Sequence, residues 1–213
     1  MSSLNHRPLK TLGELLHYIG DVAPDRVRIV PAPGTATIAD LLRPENEHCE
    51  LVEGTLVEKP VGQTESFLAM YLSMLVNHFV VQHNLGYMTG EAGYYELPGG
   101  TVRGPDISFT SWDRLPGRRR PSEPFPLGGP DLVVEILSPC NTKREMALKR
   151  EEYFRGGVRL VWEIDPRLRT VRVYTALDQF QDLTVADMLT GDPVLPGFAS
   201  PLQELLAELD RHG

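Results

Sequence analysis

Pro130-Asp131-Leu132-Val133-Val134-Glu135-Ile136-Leu137-Ser138-Pro139 is an apolar run closed by Ser-Pro, with one carboxylate, Glu135, set among its aliphatic residues. An unbroken apolar stretch of this length reads as a strand covered on both faces, the kind found inside α/β sheets. An ionised carboxylate there is destabilising unless a cation or strong hydrogen bonds compensate it. Upstream stands Gly104-Pro105-Asp106, and downstream Lys149 lies in a segment with helical periodicity. Two acids and a lysine at those stations suggest a magnesium-dependent phosphodiesterase site.

Outward from this strand, the pattern predicts a helix over 143–155, capped by Thr142 with Glu145 three residues on and ended by Gly156-Gly157. Residues 160–164 and 170–174 form a predicted hairpin around Asp165-Pro166, and a final helix is expected from Ser200-Pro201. Before the strand, 114–129 is a long loop dense in Pro, Gly and Arg. Strands are expected at 94–97 and 106–110. The longest helix is expected over 64–82, with Phe67, Leu68, Leu72, Leu75, Val76 and Phe79 at helical spacing. Residues 50–58 read as a hairpin turning at Glu53-Gly54. Residues 11–20 form a short helix with Thr11 and Glu14 at capping-box spacing, and 38–42 a helical turn.

The chain has 213 residues, enough for one substantial core without staples. No apolar run approaches the roughly 20 residues of a membrane span, and no basic-then-apolar signal pattern opens the chain, so a cytoplasmic location is expected. Cys49 and Cys140 have no metal or redox spacing and read as reduced thiols. A net charge of -8 argues against a protein that coats nucleic acid non-specifically, but allows a basic rim around an acidic, metal-filled cleft. Arg114, Arg118, Arg119 and Arg120 form the densest basic segment, followed by Lys143, Arg144, Lys149 and Arg150. Each also reads as a solvated face.

Asp106 opens its strand on the polar side of the alternation. If its strand neighbours that of Glu135, both carboxylates can meet a hard divalent cation, which usually takes one or two carboxylates besides water and phosphate. Taken alone, Asp106 is also an ordinary turn residue after proline, and Glu135 could instead be paired with Arg159 or Lys149. Glu65 falls on the apolar stripe of its helix, as a third metal-site acid or as a first-turn acid favoured by the helix dipole. Lys149 shares the inward face with Met146 and Tyr153, placed either to act on phosphate chemistry or to snorkel to solvent. His78 and His83 do not align on one helix face. Ser138 lacks a Gly-x-Ser-x-Gly elbow, and Gly99-Gly100 and Gly128-Gly129 are turns rather than phosphate cradles.

Pro105-Asp106, the Pro130–Pro139 segment, Lys149 with Tyr153, Gly157-Val158 and Val161-Trp162-Glu163-Ile164-Asp165-Pro166, followed by Leu195-Pro196-Gly197-Phe198, stand in one order. That series resembles the Uma-type family of putative restriction endonucleases, a branch of the PD-(D/E)XK nucleases, over roughly residues 50–198. The resemblance implies an α/β fold with a restriction-endonuclease-like core, a central mixed β-sheet flanked by helices. Around it the expected organisation is an N-terminal elaboration (1–48), the nuclease-like domain (49–199) and a C-terminal helix packed on it (200–213).

The resemblance further implies Mg²⁺- or Mn²⁺-dependent hydrolysis of DNA phosphodiester bonds, with Asp106 as the aspartate of the PD motif and Glu135 as the following acid. The carbonyl of Ile136 is a further metal ligand. The motif lysine position holds Leu137, and Lys149 on the next helix matches the displaced lysine. Glu65 corresponds to an auxiliary acid on the first core helix. Arg103, Arg114, Arg118, Arg119 and Arg120 are candidates for phosphate contact. No membrane partner is expected, and a homodimer is the assembly suited to cutting two strands. The alternatives are an inactive nuclease-fold protein that binds nucleic acid or protein, and a hydrolase of a smaller phosphate ester.

Overall fold

Strand β7 (Leu132–Ile136) is buried at every position, and the layers on its two faces explain why its sequence is apolar without alternation. The computed structural model describes residues 10–60 and 62–212; residues 1–9 of the N-terminal elaboration, Val61 and Gly213 lie outside the described residues. β7 occupies an inner place in a six-stranded sheet of order β10 (Gln179–Leu183), β9 (Thr170–Ala176), β8 (Leu160–Asp165), β7, β6 (Ile107–Ser111), β3 (Gly86–Gly90). β7 and β8 are parallel, joined by helix α4 (Lys143–Arg155), and the other neighbours are antiparallel. This is the mixed central sheet that the sequence implied.

Alternation decides what each face of β7 meets. Leu132, Val134 and Ile136 pack with Leu68, Leu72, Val76 and Val80 of helix α3 (Gln63–Gln82) and with Leu202, Leu205 and Leu206 of helix α5 (Leu202–Ala207). Val133 packs on the opposite face with Tyr95, Leu97, Tyr153, Val161 and Tyr174. Glu135, two residues on, shares that second face with α4. The buried stripe of α3 is a strict four-residue repeat, so Leu75 and Phe79, expected on that stripe, flank it instead. No described helix is long and apolar enough to cross a membrane.

A smaller sheet, β2 (Thr55–Glu58), β1 (Cys49–Val52), β5 (Thr101–Arg103), β4 (Tyr95–Leu97), adjoins α4 through β4. Its β1–β2 turn has Glu53 and Gly54 both at positive φ, the conformation a two-residue hairpin demands. β11 (Met188–Gly191) and β12 (Leu195–Pro201) form a hairpin whose Leu189, Leu195 and Phe198 extend the main core. Ser200 pairs with Leu189 there, so the expected Ser cap with Pro at the first helical position does not form. Pro201 ends the strand and α5 starts at Leu202.

The N-terminal segment is seated through helix α1 (Leu12–Tyr18), with Leu15, Ile19 and Val22 against Val52, Val57 and Leu148. Helix α2 (Ile38–Leu41) adds a turn beside β1, with Leu41 packed near Cys49 and Leu51. Gly20, at φ +103°, runs so close to α4 that a β-carbon would stand 2.7 Å from Glu145 Cα. Its carbonyl accepts from Thr142 Oγ1 at 2.6 Å. Gly20→Ala is therefore expected to destabilise the fold by about 2 kcal/mol, read as a melting temperature lower by roughly 4–8 °C. An unchanged melting temperature would show that this contact is absent in solution.

Candidate active site

The β6–β7 register pairs Ile107 with Val134 and Ser108 with Val133. One step further places Asp106 opposite Glu135, both on the face away from the α3 core. Side chains directly opposed across antiparallel strands have β-carbons about 4.5–5.5 Å apart. The paired register of β6 and β7 ends at Ile107. Asp106 Oδ2 takes over and accepts from the backbone N–H of Ile136 at 2.7 Å. The row continues through Glu163 on β8, Arg172 on β9 and Asp182 on β10, so a belt of charge crosses the sheet.

Consecutive residues of α4 answer this belt. Arg150 reaches Glu163 at 2.6 Å, and Lys149 Nζ stands 3.2 Å from each carboxylate oxygen of Glu135. Tyr153, one turn after Lys149, donates its hydroxyl to Glu135 Oε1. Lys149 is also 3.4 Å from Glu50 Oε1, and the backbone N–H of Gly104 donates to the same oxygen at 3.2 Å. Glu50 Oε2 accepts from Arg103 at 2.8 Å, and Arg103 Nε donates to Glu152 at 2.7 Å. The smaller sheet supplies Glu50 and Arg103, and α4 supplies Lys149, Glu152 and Tyr153. One nitrogen of Arg103, Nη2, is buried without a hydrogen-bond partner.

Lys149 is shared between two carboxylates, and the sharing is uneven. Burial would raise Glu50, but Lys149 and Arg103 together hold it down at about 2. Burial pushes Glu135 up to about 7 against the pull of Lys149, with the negative charges of Asp106 and Glu50 adding to the rise. Burial disfavours the Lys149 ammonium, yet Glu135 and Glu50 raise its pKa above the ordinary lysine value. Burial and the charge of Glu135 raise Tyr153 well above a free phenol. Glu135 is thus the carboxylate short of positive charge.

Access is one-sided. The Glu135 and Lys149 side chains are 7% and 3% exposed, whereas that of Asp106 is 22% exposed. Asp106 lines a cleft of about 600 Å³ with Glu65, Ser66, Met70 and Glu91. Lys59 Nζ lies at the same place, 3.7 Å from Asp106 Oδ1 and 3.3 Å from the Glu91 carbonyl. Glu65 folds back over Gly62, where a β-carbon would collide with its Oε2. Among the described residues no group of three or more His, Cys, Asp or Glu side chains is arranged to hold a metal. Glu65 therefore shares the cleft of Asp106 without completing a three-acid cluster. Two adjacent carboxylates, one of them short of positive charge, remain a fitting set for Mg²⁺ or Mn²⁺, which keep most of their positions for water and phosphate.

The sequence profile of the Uma2 family, described as putative restriction endonuclease, matches residues 36–204. The chain belongs to the Uma2 family. A crystal structure of a putative nuclease belonging to DUF820 from Anabaena variabilis ATCC 29413 is similar to this Uma2 chain with a TM-score of 0.71 at 24% sequence identity. The match covers 81% of this chain and 98% of that one, and it shows a common fold. Among curated proteins none matches the chain significantly.

Several residues of this Uma2 chain stand elsewhere than its sequence suggested. Arg103, expected as a phosphate contact, is 1% exposed and locked between Glu50 and Glu152, so it cannot reach a ligand without breaking two ion pairs. Arg114 ties its loop down, 3.3 Å from the Gly157 carbonyl and 3.7 Å from buried Asp131. Arg159 also pairs with Asp131, at 3.4 Å, leaving Lys149 as the partner of Glu135. Leu137, at the motif lysine position, lines a separate groove with Ser138, Arg150 and Glu163.

Glu50, Glu152 and Lys59 went unread in the sequence. Glu50 carried a signal of the same kind as Glu135: a lone carboxylate in a short strand, Cys-Glu-Leu-Val, that is buried throughout. Lys59, after the end of β2 and before a proline, carried none.

Proposed function

We propose that this chain is a divalent-cation-dependent endonuclease hydrolysing DNA phosphodiester bonds. The observation that carries the reading is the register that sets Asp106 beside Glu135, with Lys149 buried against Glu135. Asp106 and Glu135 are the protein ligands of the cation, and the Ile136 carbonyl is a further one. A bound Mg²⁺ or Mn²⁺ would supply Lewis-acid stabilisation of charge on the phosphate and a more acidic water.

The remaining work falls to the chain's own groups. The Ile136 N–H fixes one oxygen of Asp106 and leaves the other facing the cleft. Lys149 keeps its proton, and Glu50 gives its ammonium a second resting place, so it can turn from Glu135 towards the reacting phosphate and orient water there. Lys59 is placed to meet a phosphate oxygen beside Asp106. Glu65 is an auxiliary acid at the cleft wall. DNA as substrate is supported by the family's description as putative restriction endonucleases.

One observation favours a second reading, a nuclease-fold protein that binds nucleic acid without cutting it. Both oxygens of Glu135 are already engaged by Lys149, and one also by Tyr153. Supercoiled plasmid incubated with Mg²⁺ or Mn²⁺ separates the two. The endonuclease reading expects nicking by the wild-type protein, and a loss of about 10³-fold in Asp106→Ala and Glu135→Gln. Equal cleavage by all three, or none by any, would refute it.

A further inference from the structure

On the same sheet face as Asp106 and Glu135, but at the β3 edge, lies a groove of about 670 Å³ that the proposed chemistry does not use. Its volume is in the range of sites for small organic molecules. Tyr87, Tyr94 and Trp112 line it on one side, and Arg118, Arg119 and Arg120 come from the loop above. Tyr87 and Trp112 have ring centroids 5.7 Å apart, and the indole N–H is fixed by Asn84 Oδ1 at 3.1 Å. Beneath the groove the buried Ser108 Oγ is 2.6 Å from Thr89 Oγ1 and 2.7 Å from the Tyr95 hydroxyl, which fixes two residues of the lining.

Arg118 stands 3.6 Å from Asp113, but among the described residues neither Arg119 nor Arg120 is in an ion pair. On a chain of net charge -8, three consecutive arginines over aromatic rings form a local exception. Aromatic faces with free guanidinium groups match one chemistry, bases stacked on rings and phosphates on cations.

We propose that this groove binds a single-stranded stretch of nucleic acid, stacking a base on Trp112 and Tyr87 and holding its phosphates with Arg119 and Arg120. Tyr87 and Gly90 are three residues apart on β3, about 10 Å, and Gly90 already borders the cleft of Asp106. Gly90 pairs with Ile107 and so faces the α3 side, and a strand leaving the groove would reach the proposed active site by passing round the end of this edge strand. The inference rests on the endonuclease reading only for that destination.

The test uses a labelled oligothymidylate of about 12 nucleotides, within the site sizes of such grooves, with EDTA present so that no cleavage is needed. Fluorescence anisotropy is followed as salt is varied, and the emission of Trp112 is followed against that of Trp162, which is buried. Binding is expected to quench tryptophan emission. Trp112→Leu should weaken binding about tenfold with its salt dependence unchanged. Arg119→Ala with Arg120→Ala should weaken binding and lower the slope of log affinity on log salt by about 1.4, the value for two phosphates of a single strand. These arginines are on an exposed loop, so loss of fold does not explain that result.

Unchanged affinity in both variants would overturn the proposal. So would tighter binding of a duplex of equal length that ignores Trp112→Leu, which would mark a backbone contact for double strands. Groove-dependent binding without plasmid cleavage would leave this inference standing and remove the endonuclease reading. Normal cleavage with oligonucleotide binding unaffected by either variant would do the reverse.

Discussion

Lys149→Met is expected to reduce metal-dependent cleavage by about 10²–10⁴-fold in kcat while tightening the binding of Mn²⁺ at pH values where Glu135 is ionised. The two effects separate because Lys149 has two roles. In the proposed reaction its ammonium, 3.2 Å from Glu135, is the cation able to turn towards a phosphate. In the metal-free site the same ammonium competes with any divalent cation for Glu135. Methionine keeps the stem's volume against Met146 and Tyr153 and removes only the charge.

The pH dependence follows from Glu135, whose burial lifts it to about 7. Below that value a proton holds the carboxylate and must leave for a cation to bind. Affinity for Mn²⁺ should therefore rise as pH increases towards 7 and level off above it. In Lys149→Met the levelling should move to higher pH, since the cation that lowers Glu135 is gone. Calorimetric titration with Mn²⁺ and single-turnover cleavage of a labelled duplex read the two effects independently. Parallel loss of binding and cleavage would mean that Lys149 does no more than hold Glu135 in place.

What the sequence disclosed follows from the range of its signals. β7 and α4 were legible because local rules suffice: an apolar run for a strand covered on both faces, and Thr142 with Glu145 for a helix start, both bonds of which form. The inward face of α4 placed Lys149 beside Glu135, since one strand and its crossover helix are enough to do so. The short strands were only partly legible. β5 has three residues, and β3 is Gly-Tyr-Met-Thr-Gly, with glycine at each end and partial burial that leaves no alternation.

The pairing that completes the site was invisible for a different reason. Glu50, Arg103 and Glu152 come from three elements far apart in the chain, and nothing local in Thr-Val-Arg says that its arginine is enclosed. A basic residue beside Gly-Pro-Asp reads as a phosphate ligand until β1 and α4 close over it. Arg119 and Arg120 read alike in the sequence, and the fold leaves them exposed.

That enclosure makes Glu50 a sensitive position for stability. Glu50→Gln keeps the shape and removes the charge, leaving Arg103 with Glu152 and Lys149 with Glu135 alone. Breaking one side of a buried charge network is expected to cost about 3–5 kcal/mol, measured by urea denaturation near neutral pH. The sign of the pH dependence is fixed by the depressed value. Glu50 in the fold is held at about 2, against an ordinary value of 4.5, so its contribution is present above 4.5 and fades as pH falls towards 2. The difference is worth about 3 kcal/mol, and the gap between wild type and Glu50→Gln should narrow over that window.

Combining Glu50→Gln with Arg103→Met should cost less than the two changes added, because neither leaves the other's charge uncompensated. Strict additivity would mean that the two side chains do not share an ion pair in solution. A Glu50→Gln protein of wild-type stability that still loses cleavage would move Glu50 from the scaffold to the chemistry, as the second carboxylate that lets Lys149 turn.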